Sequence, residues 1–539
     1  MFPDTLTALI IDDAMTVRQS VRTILGQIGI TRVDTASSIG EARRRISNGC
    51  ADIILCDYHF GAGTTGQEFL EELRHNGALP LSTVFFMITA EASYEKVVSV
   101  AEIAPDDYLL KPFTSGQLGE RLLRAWRKKK FLNPIYREIE ANRLEQAVYV
   151  AQARLEEGGP FRSDVARLLA GILVELGRNN EAMEIYEKLL QDKVIPWAKL
   201  GLAKVYSSTG RQAEAEKIMQ TIVEANDMYV DAYDQLAAHY IQEGRETEAM
   251  QVMEKALKVT PHNLDRLQKA GQMAYRLGDN EKARQFLEKA VAHGGNSTLL
   301  DIRSVMYLAI ASYAEGKHRE GDKMLHLMQG LVERQSGYDK QVLYDLAKAA
   351  RCWATQKPDE AILTLSHIAQ AVHDARIDFD LATDFISVCA RMTAGEAIVK
   401  DWIAKLAKRF ATSRVAVEKL EFAATHSKEL HEIIHFVNQE INQIANQGMT
   451  LVVANRLQEA ANHLVENALA SHNNRLLLAA ANASIRYAKE LGNDAISYWH
   501  KARQATDLLQ RQHYDAATVE SLDQELLMTE HRIKSKLSA

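Results

Sequence analysis

Proline is scarce in this chain, at 9 of 539 residues, and glycine numbers only 28. So few breakers exclude an architecture of many short strands and tight turns, and they predict long helices. Cysteine is scarcer still. Cys50, Cys56, Cys352 and Cys389 show no metal or disulfide spacing, which excludes a disulfide-stapled scaffold and fits a reducing compartment. No apolar run is long enough to span a bilayer. Met1-Phe2-Pro3-Asp4 has neither the basic region nor the apolar core of a signal peptide. The expected location is cytoplasmic, without membrane insertion. Positive charge is not in excess either. A net charge of −7 argues against a general nucleic-acid binder, because phosphate contacts need clustered positive charge. Hydrophobic residues, by contrast, make up 47%, enough for folded cores. The length exceeds what one core can organise and predicts several domains.

Within the first quarter, short apolar runs end on polar residues. Residues 6–11 stop at Asp12-Asp13, 52–56 at Asp57, 84–88 at Thr89, and 108–110 at Lys111-Pro112. Runs of this length, separated by helical patterns, read as buried parallel strands. In such sheets functional groups gather at the carboxyl ends of the strands. Four strand ends thus deliver three carboxylates, a hydroxyl and an ammonium to one place. Crowded carboxylates call for a divalent cation, and all-oxygen ligands suit Mg²⁺. Asp57 is then a candidate nucleophile, since carboxylates form aspartyl-phosphate intermediates. Lys111 and Thr89 are the candidate stabilisers of phosphoryl oxygens.

Ile10-Ile11-Asp12-Asp13, Leu55-Cys56-Asp57, Met87-Ile88-Thr89-Ala90-Glu91 and Tyr108-Leu109-Leu110-Lys111-Pro112-Phe113 together resemble the receiver domain of bacterial two-component response regulators, over about residues 6–127. The resemblance implies an α/β, doubly wound, flavodoxin-like domain with a five-stranded parallel sheet of order 2-1-3-4-5. It implies phosphorylation of Asp57 by a histidine kinase or phosphotransfer protein. It also implies Mg²⁺ held directly by Asp13, Asp57 and the backbone carbonyl of His59, with Asp12 acting through water. Thr89 and Tyr108 match the family's switch pair, and His59 and Glu91 its positions that tune dephosphorylation. The loop Tyr58-His59-Phe60-Gly61-Ala62-Gly63-Thr64-Thr65-Gly66 departs from the pattern. It lacks the usual proline and is about one residue longer, so loop geometry and phosphoryl lifetime are the open points.

Arg127-Lys128-Lys129-Lys130 reads as a solvated helix end, where cations complement the dipole. Asn133-Pro134 is expected to break or kink the chain and to mark a boundary. The domains expected are a receiver at 1–130, a helical linker at 131–162, clear repeats at 163–295, and degenerate helical repeats at 296–539 with a polar capping helix at 521–536.

The repeat signal is a spacing. Gly177, Gly210, Gly244 and Gly278 lie 33, 34 and 34 residues apart, and Ala182, Ala215, Ala249 and Ala283 follow each by five. Four residues further stand Tyr186, Met219, Met253 and Leu287. A copied helix-turn-helix unit explains this: glycine for the turn, alanine for close helix approach, larger residues between layers. The pattern resembles the tetratricopeptide repeat family. That resemblance implies an all-α solenoid with a groove for a protein partner. Gly316, Gln356 to Ala361, Ala394 to Ala397, Asn455 to Ala460, and Leu491 to Asp494 read as weaker copies, for nine or ten helix pairs in all.

His431-Glu432-Ile433-Ile434-His435 matches the H-E-x-x-H zinc pattern. No third ligand is placed by sequence beyond an arguable Glu459 or Glu466, and no strand accompanies it, so a zinc protease is set aside. The functional expectation is a non-enzymatic, phosphorylation-controlled signalling adaptor. Phosphorylation on Asp57 would change domain contacts, or form a homodimer, and so control the groove. The alternative is a phosphorelay sink or phosphatase-like regulator of another two-component pathway.

Overall fold

The computed structural model describes residues 2–60, 65–90, 105–191, 195–295, 299–334, 337–372, 374–392, 397–490 and 494–537. The loop residues Gly61 to Thr64, Glu91, most of the stretch from Ala394 to Ala397, and Leu491 to Asn493, on which expectations fall, lie outside the described residues.

Five strands, β1 (Thr7–Ile11), β2 (Arg32–Ala36), β3 (Ile53–Asp57), β4 (Val84–Thr89) and β5 (Asp107–Leu110), form one parallel sheet. Its order is β2-β1-β3-β4-β5, the expected one. Side chains alternate across it. Ala8, Ile10, Ile53, Leu55, Phe86 and Ile88 pack with α1 (Met15–Gln27) and with α4 (Ser115–Glu140). Leu9, Ile11, Ile54, Cys56, Phe85 and Met87 pack with α2 (Ile39–Ser47) and α3 (Gly66–His75). Covering both faces is what lets these strands be apolar throughout. Phe85 and Phe86 are fully buried on opposite faces. Truncating either to alanine costs about 3–5 kcal/mol.

Side-chain caps fix where the helices begin. Ser38 accepts from the Glu41 amide at the start of α2. Thr65 with Glu68, and Thr114 with Gln117, close capping boxes on α3 and α4.

Two expectations are corrected at α4. This helix runs 26 residues with Pro134 inside it, so Asn133-Pro134 does not end the helix. Lys129 is not a solvated helix end but is 6% exposed. Its position explains this: Leu118, Leu122, Ala125, Lys129, Leu132 and Tyr136 are all buried at the three- and four-residue spacing of one helix face. The first half of that stripe joins the sheet core. The second half, with Ile135, joins the core of the helices that follow.

Those helices pair through a recurring turn residue with positive φ. It is Gly177, Gly210, Gly244, Gly278 and Gly316, but also Asn142, Gln356, Asn455 and His513, with φ between 53° and 85°. The left-handed turn is where a helix stops and the next residues fold back. Five residues after seven of these turns stands a fully buried alanine: Ala147, Ala182, Ala215, Ala249, Ala283, Ala361 and Ala460. After Gly316 the position is Gly321, where a Cβ would lie 2.5 Å from the Tyr313 ring. The helices divide into two compact units, Met1–Ala270 with Glu288–Leu300, and Gly271–Leu287 with Asp301–Ala539. The second holds a buried polar knot. Asp384 accepts from Tyr307 and from Arg303 Nε at 2.7 Å, and Tyr275 stacks on Tyr307 at 4.2 Å. The last helix of the described residues, Ala516–Leu537, buries Val519, Leu522, Leu526 and Ile533. Among the described residues no helix is long and apolar enough to cross a membrane.

Candidate functional site

The sheet register brings the expected residues together. β1 and β3 are neighbours at the point where strand order reverses, the usual place for a site in such sheets. Ile11 pairs with Cys56, so Asp12 and Asp57 emerge side by side. The Lys111 amide donates to the Thr89 carbonyl at 2.8 Å, which seats the lysine beside the threonine. The Lys111–Pro112 peptide is cis.

Lys111 Nζ stands 2.9 Å from Asp12 Oδ2 and 3.1 Å from Asp57 Oδ1. Carboxylate oxygens of Asp12, Asp13 and Asp57 lie within 4.8 Å of one another. Asp12 is buried, Asp13 exposed and Asp57 between them. Both oxygens of Asp12 are committed, Oδ1 to the Ala14 amide at 2.8 Å and Oδ2 to Lys111. Asp57 Oδ1 also takes the Tyr58 amide at 2.9 Å. Burial pushes the Asp57 carboxyl above its usual range, Lys111 pulls it back, and Asp12 adds to the rise. Burial works against the Lys111 charge, yet the hydrogen bond it donates to Asp12 and the charge of Asp57 lift its pKa.

Three carboxylates against one ammonium leave excess negative charge, and every donor is oxygen. That donor set fits a hard divalent cation such as Mg²⁺. Asp13, exposed, and Asp57 are the residues best placed to hold it, with Asp12 behind them.

Thr89 is fully buried and Tyr108 is 5% exposed, packed in the α2 and α3 core. His59 is exposed, its ring edge-on to Tyr58 at 4.7 Å. Two further residues shape the site. Arg18 Nη1 donates to the carbonyls of Asp12 at 2.7 Å and Asp13 at 3.0 Å, tying the acidic loop to α1. Gly66 donates its amide to the Tyr58 carbonyl at 2.8 Å and lies against the Asp57 carbonyl. Arg18 stands five residues after Asp13, one turn into the helix, which is the only signal the sequence carries for it.

Both histidines of the H-E-x-x-H stretch lie against Glu421. His435 Nδ1 lies 3.1 Å from Glu421 Oε1, and His431 Nδ1 3.3 Å from the Glu421 carbonyl.

A doubly wound parallel sheet with this carboxylate, ammonium and hydroxyl edge defines a receiver-type protein. Residues 8–123 match the family described as response regulator receiver domain. Residues 168–191 and 240–301 match tetratricopeptide repeat families. Over 114 residues the chain is 32% identical to chemotaxis protein CheY-3 of Vibrio cholerae, covering 21% of this chain and 86% of that protein. It is 30% identical to chemotaxis protein CheY of Pseudomonas aeruginosa, covering 21% and 90%. A solved tetratricopeptide repeat protein from Parabacteroides merdae is similar at 14% identity, covering 48% of this chain and 98% of its own, with a TM-score of 0.32. The chain belongs to the response regulator receiver family through its amino-terminal region and carries tetratricopeptide repeats beyond it. It is a response regulator with a protein-interaction domain. The receiver implies a kinase or phosphotransfer partner, and the repeats imply protein partners.

Proposed function

We propose that this chain is a phosphorylation-controlled signalling adaptor, with Asp57 as phosphoacceptor and the repeats as the surface that meets a partner. The observation that carries it is the position of Lys111 Nζ between Asp12 and Asp57. One oxygen of Asp57 attacks the phosphorus of a phosphohistidine. The O–P bond forms as the N–P bond breaks, and the imidazole leaves with the electron pair and takes a proton from solvent. Oδ1 of Asp57 is held by Lys111 and the Tyr58 amide, which leaves Oδ2 to attack. Lys111 stabilises charge on the phosphoryl oxygens, and the Thr89 hydroxyl donates to one of them. When bound at Asp13 and Asp57, Mg²⁺ supplies the rest of that charge neutralisation.

Incubating the full chain with a small phosphoryl donor and Mg²⁺ tests this. One added phosphoryl group, absent in Asp57→Asn and in excess chelator, is the expected result. Labelling that persists in Asp57→Asn sinks the assignment.

A further inference from the structure

The buried Lys129 has no part in phosphoryl chemistry, yet it joins three pieces of the molecule. Its Nζ donates to the Leu81 carbonyl at 2.8 Å and pairs with Asp106 Oδ1 at 3.1 Å. It also lies over the Tyr136 ring at 5.5 Å. Leu81 stands just ahead of β4 and Asp106 just ahead of β5. These are the amino-terminal ends of the two strands whose far ends carry Thr89 and Lys111. Asp106 is bound into the sheet as well: its Oδ2 accepts the Phe85 amide at 2.9 Å and its own amide donates to the Phe85 carbonyl at 2.8 Å.

A second clamp flanks the first. The Leu81 amide donates to Glu140 Oε1 at 2.7 Å, and the Leu81 side chain packs against the core cluster to which Leu132, Ile135 and Tyr136 belong. The helix that carries these residues does not end there as a tether. Asn142 turns it at φ 54°, and the helix Leu144–Glu157 folds back with Ala147 fully buried. Helix, turn residue and alanine reproduce the arrangement at Gly177 and Ala182. So the last helix of the receiver is also the first helix of the repeat array. Lys128 adds a contact at 3.7 Å to Asp164, on the helix Arg162–Glu175.

We propose that Lys129 is the coupling residue of this junction. It transmits movement of β4 and β5 to the first helix pair as a rigid body, with no hinge at residues 131–134. Packed strands and helices shift as units rather than bending continuously. A displacement at the Thr89 and Lys111 ends therefore reaches Leu81 and Asp106, and Lys129 carries it into α4. The proposal rests on the reading of Asp57 as phosphoacceptor.

The test uses the full chain, charged with a small phosphoryl donor and Mg²⁺. Asp57 occupancy is read by intact mass, and amide exchange over residues 131–175 by mass spectrometry. In the native chain phosphorylation is expected to change exchange in that segment on the order of threefold. Lys129→Met keeps Asp57 occupancy and loses that change, whereas Arg127→Met, at an exposed position of the same helix, keeps both. Should Lys129→Met not fold, two glycines inserted between Asn133 and Pro134 serve instead. That insertion follows Lys129, so its bonds to Leu81 and Asp106 stay while Tyr136 and Glu140 are shifted, and it is expected to abolish the response beyond residue 134. A native-sized response in Lys129→Met or in the insertion variant overturns the coupling role and leaves the phosphoacceptor reading standing. An unphosphorylated native chain overturns both.

Discussion

A Cβ placed on Gly66 would stand 2.2 Å from the carbonyl oxygen of Asp57, with Met87 Sδ at 2.9 Å behind it. The α3 helix begins this close to the phosphoacceptor strand because its first residue has no side chain. Gly66→Ala must therefore push either the helix or the Asp57 peptide. Overpacking of this kind costs about 1–3 kcal/mol, read as a lower unfolding midpoint for the receiver, and it slows phosphoryl uptake by displacing Asp57. Gly40→Ala is the control. Nothing lies within 4 Å of a Cβ there, and the helical exchange stabilises by about 0.4–1 kcal/mol.

Asp57 gives a pH signature. Its carboxyl is pushed above the usual range by burial, with Lys111 opposing. Only the ionised form attacks phosphorus, so the rate of uptake falls as acid protonates Asp57, and Mg²⁺ beside the carboxylate sets that fall at lower pH than in the metal-free site. Lys111→Met removes the opposing charge and shifts the fall to higher pH, and it lowers the plateau rate by about 10²–10³ through lost charge stabilisation. A pH profile of uptake for both proteins checks this, and an unmoved profile refutes the assignment.

The same shift has a stability sign. A carboxyl whose folded pKa lies above its unfolded value opposes folding once it ionises, at pH above that folded value. In metal-free buffer at neutral pH, Asp57→Asn is therefore expected to unfold at a higher temperature than the native chain, and the gain to vanish below the unfolded pKa. Calorimetry in chelator at neutral and acid pH decides it.

Gln356 turns a helix pair at φ 61°, the conformation glycine supplies at equivalent turns. A non-glycine residue pays about 1–2 kcal/mol for it. Gln356→Gly should raise stability by roughly 0.5–1 kcal/mol, after the entropy of the freer unfolded chain is subtracted. Gly177→Val, at φ 71°, should lower it by more. Urea titration of each measures both signs.

Asp384 is 2% exposed and receives Arg303 at 2.7 Å and the Tyr307 hydroxyl. Asp384→Ala leaves a largely buried guanidinium without its partner, a loss of about 3–5 kcal/mol. Replacing the pair together, Asp384→Leu with Arg303→Met, should recover most of that. Denaturant unfolding of the double variant against the singles separates the two costs.

Much of the fold was legible because its signals are local. A buried parallel strand is a short apolar run, and the polar residue that ends it stands at the sheet's functional edge. That is why Asp12, Asp57, Thr89 and Lys111 could be named together before their distances were known. The helix pairs were legible for a similar reason: glycine and alanine recur at fixed offsets wherever two helices must turn and touch. Asn142 and His513 hid their turns, since left-handed conformation can be adopted by residues that do not announce it.

The sequence by itself determined the sheet, the chemistry at its edge and the existence of a helical repeat, all set by short apolar runs, by the residues that end them and by the spacing of glycine and alanine. Only the tertiary structure decided what lies across long separations. Lys129 looked like part of a solvated basic run until the fold placed Leu81 and Asp106 against its ammonium. Asp384 is an ordinary helix residue until Arg303, 81 positions earlier in the chain, comes to it. Gly66 is one glycine among three in its loop until the Asp57 carbonyl occupies the space a Cβ would need. Burial, ion pairing and close approach arise from which surfaces meet, and no local pattern of residues encodes that meeting.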